Sequence, residues 1–135
     1  MPRFSKTSKK RLHTCHPDLQ EICQRVIGTY DFTVLEGHRG EERQNRLHEE
    51  GKSTLQYPDS KHNGSPSQAV DIAPYPIDWD DRLRFGVLAG HMFQAAHELR
   101  EEGMITSRLR WGGDWDEDRF MSDNTFDDLV HFELT

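Results

Sequence analysis

Two histidines and one aspartate in this 135-residue chain have the residue types and settings of metal ligands. His62 falls in a long loop rich in Ser, Pro, Asn and Gly, whereas Asp71 and His131 each fall in a short run whose alternation predicts a β-strand. A carboxylate in the middle of a buried strand is costly unless it is paired, hydrogen-bonded or bound to a metal. Three such ligands leave the fourth position of a zinc ion open to water, so our leading hypothesis is a zinc hydrolase.

The competing interpretation is that these three residues are unrelated. The chain has eight histidines, so chance triples are common, and a lone histidine in a loop is more often a solvated side chain than a ligand. The metal hypothesis is favoured because His131 lies in a strand pattern and follows an acidic residue, Asp128, by three positions.

Hydrophobic periodicity predicts the elements that must position these residues. Helical spacing predicts a helix over Pro17–Ile27 and a second over residues 81–102, the latter capped by Asp80. Residues 41–50 form either a solvated helix or part of a mobile segment, residues 52–68 form a long loop, and the basic first eleven residues form a solvated, frayed terminus. Strands are predicted over residues 31–36, 69–73, 108–111 and 129–134.

Composition narrows the class of protein. The length suits a single domain over residues 1–135, and with 33% hydrophobic and 30% charged residues no apolar run is long enough to span a membrane. A net charge of −7 argues against general nucleic-acid binding. Cys15 and Cys23 are interpreted as ordinary residues, with neither a disulfide framework nor a structural zinc motif. No apolar segment follows the basic N-terminus, so we expect no signal peptide and a cytoplasmic product.

Several motifs resemble one known family, the LAS zinc peptidases. The stretch from Ser60 to Asp71 resembles the family's Ser-x-His-x-x-Gly-x-Ala-x-Asp motif, although eight residues separate His62 from Asp71 where six are usual. His131-x-Glu133 resembles the family's last ligand motif. The similarity is greatest to phage endolysins and bacterial cell-wall enzymes that cut peptidoglycan between L-alanine and D-glutamate. It extends, in order, to residues 30–34, 37–39, 71–75, 77–79 and 110–115.

The resemblance implies a role for each matching residue. Asp128 corresponds to the general base, with the adjacent Asp127 as the competing candidate and a solvated acidic turn as the alternative for both. Arg39 corresponds to an arginine that stabilises the oxyanion or binds a substrate carboxylate, although an ordinary surface ion pair is its alternative. Ser60 would position the substrate or the His62 loop, and Glu133 is better placed beside His131 than as a ligand.

Residues and resemblance together predict an α+β domain, a small antiparallel sheet flanked by helices, that binds Zn²⁺ and hydrolyses the L-alanyl-D-glutamate bond of peptidoglycan stem peptides. The alternatives are a D-alanyl-D-alanine carboxypeptidase and a catalytically inactive, metal-stabilised binding module. We expect a monomer that acts on the cell wall of a bacterial host after a separate holin releases it. No separate cell-wall-binding domain is predicted.

An acidic run after the predicted third strand suggests a second, calcium site. Asp114, Asp116 and Asp118 resemble the start of a calcium loop, but Arg119 and Thr125 occupy the positions where an EF-hand has Gly and Glu. The run is therefore not an EF-hand. Some phage members of the family that this chain resembles have a regulatory cation loop at this place, so Ca²⁺ stays a second candidate cofactor. The favoured interpretation of the acidic run is a solvated loop. Trp111 and Trp115 would either line the cleft or pack in the core.

Overall fold

The computed structural model of the protein describes residues 2–115, 117 and 128–135. Helices and strands are interspersed along these residues. The helices are α1 (Lys6–Leu12), α2 (Pro17–Ile27), α3 (Glu41–Glu49) and α4 (Arg82–Glu101), and a single 3₁₀ turn spans Lys61–Asn63. The strands are β1 (Phe32–Glu36), β2 (Ala69–Pro74), β3 (Leu109–Trp111) and β4 (His131–Leu134).

The four strands form one antiparallel sheet in the order β1-β2-β4-β3. β4, which comes last in the chain, lies between β2 and β3, so the C-terminal strand pairs with a strand that lies about 60 residues earlier. The prediction of an α+β fold with a small antiparallel sheet is confirmed. This strand order brings the predicted ligands of β2 and β4 side by side.

One face of the sheet forms the hydrophobic core. Alternation along β2 and β4 directs one set of side chains towards α2 and α4, and the other set towards the opposite face. The core-facing set consists of Val70, Ile72, Phe132 and Leu134, which pack with Leu19, Ile22, Leu88 and Met92 from the helices. The opposite face is left for polar residues, and the candidate ligands lie there.

The structure confirms the predicted position of the helix α4 but not its predicted N-cap residue. It begins at Arg82 with Asp81, not Asp80, at the N-cap, and the side chain of Asp81 makes no capping hydrogen bond. The reason lies in the preceding turn, where the carboxylate of Asp78 accepts a hydrogen bond from the backbone N–H of Asp80. This turn holds Asp80 outside the helix.

The prediction of a frayed N-terminus is wrong. Residues 6–12 form α1, and Leu12 is fully buried while Phe4 packs edge-on against Phe32. The side chains of α1 cover the open edge of β1: Ser8 Oγ accepts from the backbone N–H of Val34, and Arg11 Nη1 donates to the carbonyl of the same residue. An edge strand exposes unpaired backbone groups, and α1 satisfies those of Val34.

The structure decides between the alternatives for one further element and shifts the start of another. The charged segment left open as helix or mobile chain is the helix α3. β4 begins at His131 rather than at residue 129, because Leu129 and Val130 form a turn in which the carbonyl of Leu129 accepts a hydrogen bond from Trp111 Nε1. Both cysteines are free and buried. No helix within the described residues is long and apolar enough to cross a membrane.

Candidate metal centre and catalytic cleft

Three polar residues form a row across the sheet on the face opposite the core. Asp71 of β2 lies directly opposite His131 of β4. On its other side, a bulge in β1 between Val34 and Glu36 places Glu36 opposite Asp71. A bulge inserts one extra residue and redirects the side chains that follow, so the carboxylate of Glu36 joins the polar row.

His62 reaches this row from the loop, and the sequence around it explains how. Ser60 caps the 3₁₀ turn: its side chain accepts from the backbone N–H of His62 at 3.2 Å, while Asn63 Oδ1 accepts from the backbone N–H of Ser60 at 3.0 Å. These reciprocal hydrogen bonds form a capping box. The capped turn holds the His62 ring in the protein, where the residue is only 1% exposed.

The longer spacing between His62 and Asp71 is absorbed by docking of the loop. Ser67, near the end of that spacing, donates its backbone N–H to the carbonyl of Thr14 and accepts from the backbone N–H of His16. Its side-chain Oγ also accepts a hydrogen bond from the backbone N–H of Ala69, the first residue of β2. The extra residues therefore pack against the junction of α1 and α2, and the spacing does not separate the two ligands.

The three predicted ligands converge in space. His62 Nε2 lies 3.1 Å from Asp71 Oδ1, His131 Nδ1 lies 3.2 Å from the same oxygen, and one potential ligand atom from each residue lies within 4.8 Å of the others. The second nitrogen of His62, Nδ1, donates to the carbonyl of Gly37 at 2.8 Å. Because a carbonyl can only accept, Nδ1 carries the proton, and in the neutral ring the lone pair of Nε2 faces the cluster.

Glu133 orients the other histidine. Its carboxylate accepts from His131 Nε2 at 2.8 Å, which leaves Nδ1 facing Asp71. A carboxylate behind a histidine is the usual arrangement around a metal, since it fixes the ring and raises its basicity. Arg110 Nη1 lies 3.7 Å from the other oxygen of Glu133.

Burial and pairing shift the pKa values of this cluster in opposite directions. Burial alone would raise the pKa of Asp71, but hydrogen bonds with His131 and His62 and the charges of those rings outweigh it and hold the pKa well below its usual range. For His131, burial alone would lower the pKa, but hydrogen bonds with Asp71 and Glu133 raise it to about 9. The cluster therefore favours an ionised carboxylate beside a charged imidazole.

Asp128 lies next to this cluster, in the turn that precedes β4, and lines the same cleft. Burial raises its pKa, and the negative charge of Asp71 raises it further. The backbone of Gly112 holds this turn, since its carbonyl accepts from the N–H of Asp128 and its N–H donates to the carbonyl of His131, both at 2.8 Å. The competing candidate Asp127 lies outside the described residues.

Arg39 is held at the edge of the cluster by two partners. Its Nη2 donates to Glu36 Oε1 at 2.6 Å and its Nη1 to Gln44 Oε1 at 3.0 Å, while Nη2 also lies 3.6 Å from Asp71 Oδ2. Gln44 is completely buried and also accepts from Asn63 Nδ2. Arg39 is therefore part of a buried network rather than an ordinary surface ion pair.

Sequence reasoning missed two members of this network, Glu36 and Gln44. Glu36 ends a predicted strand, and its inward position depends on a bulge that no spacing rule indicated. Gln44 falls in a highly charged helix in which a buried glutamine has no distinguishing neighbour in the sequence. The one available signal for the loop was the pair Ser60 and Asn63, three residues apart as in a capping box.

The cleft above the cluster has a volume of about 630 Å³, which suits a small peptide. The sequence did not indicate whether Trp111 and Trp115 line the cleft or pack in the core, and the structure places one in each setting. Trp111 is buried and stacks on Phe132 in the core, whereas Trp115 lines the cleft, with its ring centroid 5.3 Å from that of His131. Trp115 also lies beneath the guanidinium of Arg110, 4.9 Å from its ring centroid.

The predicted calcium loop is described only at its start. Asp114 is 5% exposed, and its backbone N–H donates to the carbonyl of Trp111. Asp116, Asp118, Arg119 and Thr125 lie outside the described residues. Calcium binding therefore stays a prediction.

The chain is similar in sequence and in structure to known peptidases. Residues 1–135 match the model of the family described as phage L-alanyl-D-glutamate peptidase. The chain is 36% identical over 118 residues to the L-alanyl-D-glutamate peptidase of Escherichia phage T5, a match that covers 84% of this chain and 81% of that protein. It is also similar to the crystal structure of the Serratia marcescens L-Ala D-Glu endopeptidase ChiX, with a TM-score of 0.74, 29% identity, and coverage of 98% of this chain and 90% of the other.

The fold is that of a peptidase, and its cleft contains three residues that could hold a metal ion. The chain belongs to the phage L-alanyl-D-glutamate peptidase family.

Proposed function

We propose that this protein is a zinc-dependent endolysin that hydrolyses the L-alanyl-D-glutamate bond of peptidoglycan stem peptides. The observation that carries the proposal is the convergence of His62 Nε2, Asp71 Oδ1 and His131 Nδ1 in a peptide-sized cleft next to Asp128. The choice of this bond is supported by the names of the two relatives, an L-alanyl-D-glutamate peptidase and an L-Ala D-Glu endopeptidase.

The donor set fits zinc. Two imidazole nitrogens and one carboxylate oxygen are the ligands of many catalytic zinc sites, and they leave a coordination position open. The other ring nitrogen of each histidine is already hydrogen-bonded: that of His62 to the carbonyl of Gly37, and that of His131 to the carboxylate of Glu133. When bound, zinc lowers the pKa of water and polarises the scissile carbonyl as a Lewis acid.

Asp128 supplies the proton chemistry in this proposal. Its carboxylate takes a proton from the attacking water and then gives it to the nitrogen of the departing D-glutamyl residue. The raised pKa of Asp128, caused by burial and by the charge of Asp71, suits a group that must first accept and then release a proton. The neutral acid formed midway is easier to bury than the carboxylate.

Arg39 stabilises negative charge in the same cleft. In the proposal its guanidinium stabilises the oxyanion of the tetrahedral intermediate or binds a carboxylate of the substrate. The contacts with Glu36 and Gln44 keep the planar group in one orientation, 3.6 Å from Asp71 Oδ2. Ser60 lines the cleft as well, and its hydrogen bond to His62 favours a role in holding the loop.

The decisive experiment is digestion of purified peptidoglycan, followed by identification of the new amino termini. Cleavage at L-alanyl-D-glutamate exposes the amino group of D-glutamate, whereas a carboxypeptidase releases free D-alanine. We expect new D-glutamyl amino termini, loss of turnover in EDTA and recovery on addition of Zn²⁺. Release of D-alanine alone would contradict the bond assignment, and intact peptidoglycan with a zinc-loaded protein would favour the inactive binding module.

A matched pair of variants tests the role of Asp128. Asp128→Asn should lower kcat by about 10²- to 10⁴-fold while zinc content is retained. The control is Asp78→Asn, which removes an exposed carboxylate in the turn before α4 and should leave kcat unchanged. If Asp128→Asn retains full turnover, the base lies elsewhere, and Asp127 is the next candidate.

We also propose that residues 1–135 act as one catalytic domain and as a monomer on the peptidoglycan of a bacterial host, with a separate holin giving access to the wall. One continuous hydrophobic core, which includes residues from α1 to β4, supports the single domain. Size-exclusion chromatography with light scattering tests the monomer. A second, calcium site at Asp114 stays part of this proposal, and calcium titration of the zinc-loaded protein tests it.

A further inference from the structure

A second groove lies beside the catalytic cleft. It has a volume of about 550 Å³ and shares two lining residues, Glu36 and Arg43, with the cleft. One wall is the face of α1 and its C-terminal extension formed by residues seven, ten, eleven and fourteen, and the other wall is the end of β1 and the residues that follow it. The lining includes Thr7, Lys10, Arg11, Thr14, Gly37 and His38.

The groove contains two cations that no acidic residue compensates. Lys10 has neither an ion pair nor a side-chain hydrogen bond within the part of the chain that the structure describes, and Arg11 bonds only to the carbonyl of Val34. Glu36 is the one acidic residue among the described residues that line the groove, and its carboxylate already pairs with Arg39 and Arg43. A surface of this kind favours an anionic ligand.

The other cations along the cleft already have partners. Arg43 donates to Glu36, Lys52 lies 3.4 Å from a carboxylate oxygen of Glu50, and Lys61 donates to the carbonyl of Leu134. Arg110 lies beside Glu133 and over Trp115. Among the described Lys and Arg residues that line the groove itself, Lys10 and Arg11 are therefore the two without an acidic partner, since Arg43 pairs with Glu36.

The charge distribution of the whole chain makes this groove unusual. The net charge is −7, yet the first thirteen residues contain five Lys or Arg and no Asp or Glu. A substrate with glutamate next to the scissile bond keeps a free carboxylate, whichever carboxyl group of that glutamate continues the peptide. An acidic protein that acts on an acidic peptide needs a local surface of positive charge, and α1 provides one beside the cleft.

We propose that this groove is a substrate subsite in which Lys10 and Arg11 bind a carboxylate of the stem peptide on the D-glutamyl side of the scissile bond. The subsite rests on the proposed function, because it assumes that the cleft holds that peptide. Arg11 is fixed in place by its hydrogen bond to Val34, whereas Lys10 is exposed and can follow the ligand. Both are specificity-determining residues rather than catalytic ones.

The test compares two neighbouring lysines of α1. Lys10→Glu reverses a charge that lines the groove, whereas Lys9→Glu makes the same change in net charge, in the same last turn of the helix, at an exposed residue that does not line it. Kinetics are measured with an L-alanyl-D-glutamyl peptide that has free carboxylates and with its amidated counterpart. The salt concentration is about 0.15 M, at which charges more than about 8 Å apart are largely screened.

On the acidic peptide we expect Lys10→Glu to raise KM about fivefold with kcat unchanged, and Lys9→Glu to match the wild type. On the amidated peptide all three proteins should have the same KM. Equal effects of the two variants would indicate general electrostatics and overturn the subsite, as would an effect of Lys10→Glu that persists on the amidated peptide.

A binding measurement separates this proposal from the proposed function. Titration of ¹⁵N-labelled Asp128→Asn with the acidic peptide should shift the backbone amide signals of Lys10 and Gly37, and the amidated peptide should shift them less. If the wild type cleaves no peptide while these shifts occur, the function fails and the anion site stands. If the peptide is cleaved and these signals do not move, the function stands and the subsite fails.

Discussion

His131 is the residue on which the candidate metal centre depends most, because both of its ring nitrogens are committed. Nδ1 faces Asp71 Oδ1 and Nε2 bonds to Glu133 Oε1. Its companion His62 instead uses a backbone carbonyl, that of Gly37, which no side-chain substitution removes. The Glu133 carboxylate is thus a hydrogen-bond partner of a candidate ligand that a side-chain substitution can remove.

Removal of that carboxylate should weaken metal binding. We expect Glu133→Gln to lower zinc affinity about 10- to 100-fold, because the His131 ring loses its negatively charged partner and becomes less basic. Competition with a chelating dye measures the change. Glu101→Gln, at the exposed end of α4, is the control and should bind zinc as the wild type does. Unchanged affinity in Glu133→Gln would show that Glu133 does not act through His131.

Protons should compete with the metal at His131. Its pKa in the metal-free protein is raised from 6.5 to about 9 by Asp71 and Glu133, so the protonated ring stabilises the fold fully below pH 6.5, and that contribution is lost as pH rises through 9. Metal binding must displace this proton, and zinc affinity should fall about tenfold for each pH unit below 9. Chelator competition between about pH 6 and pH 8 measures the slope. An affinity that does not vary with pH would contradict the raised pKa.

At the scale of elements, the turn before β4 is held by a close approach of two backbones. A Cβ atom at Gly112 would overlap the carbonyl oxygen of Asp128 and lie about 3.0 Å from its Cβ. The same glycine bonds to the backbone of both Asp128 and His131. Gly112 therefore lets β3 approach the turn that carries the proposed base and leads to a ligand.

Substitution of Gly112 should disturb fold and activity together. We expect Gly112→Ala to lower the free energy of unfolding by about 1–3 kcal/mol and to reduce turnover, because Asp128 and His131 must shift to admit the methyl group. The control is Gly90→Ala in the middle of α4, where a Cβ meets no atom within 4 Å. That variant should gain about 0.5–1 kcal/mol and keep its activity. Urea unfolding and peptidoglycan turnover measure both, and equal stability of the two variants would contradict the close approach.

For the whole molecule, the candidate ligands connect distant parts of the chain. His62 comes from the loop after α3, Asp71 from a central strand and His131 from the last strand. A metal that binds all three links these parts in the folded state only. Metal binding should therefore stabilise the entire domain and not just the cleft.

Removal of zinc should lower the melting temperature. With free zinc at about a thousand times its Kd, binding contributes about 4 kcal/mol, which corresponds to about 10 °C for a domain of this size. Calorimetry with and without EDTA measures the difference. His62→Ala should melt at the same temperature in both conditions, while His97→Ala, an exposed histidine on α4, should respond as the wild type does. A wild type that does not respond to EDTA would contradict the three-ligand centre.

The sequence determined a large part of this protein because local patterns repeat with the periods of helix and strand. Alternation along residues 129–134 placed His131 and Glu133 on one face, and helical spacing gave α2 with its bounds. The types and order of His62, Asp71 and His131 indicated a metal centre, and the structure brings these residues together. Such features depend on residues that are close in sequence or on chemistry that few residue types can perform.

Tertiary structure decided what depends on contacts between distant segments. The sequence predicts a frayed N-terminus because these residues are basic and terminal. The structure orders them through hydrogen bonds of Ser8 and Arg11 with the edge of β1, which no local pattern indicates. The bulge that aims Glu36 at Arg39, the burial of Gln44 and the separate places of Trp111 and Trp115 have the same origin. Each depends on contacts between segments that are far apart in the sequence, and the pairing of β2 with β4 alone joins residues about 60 positions apart.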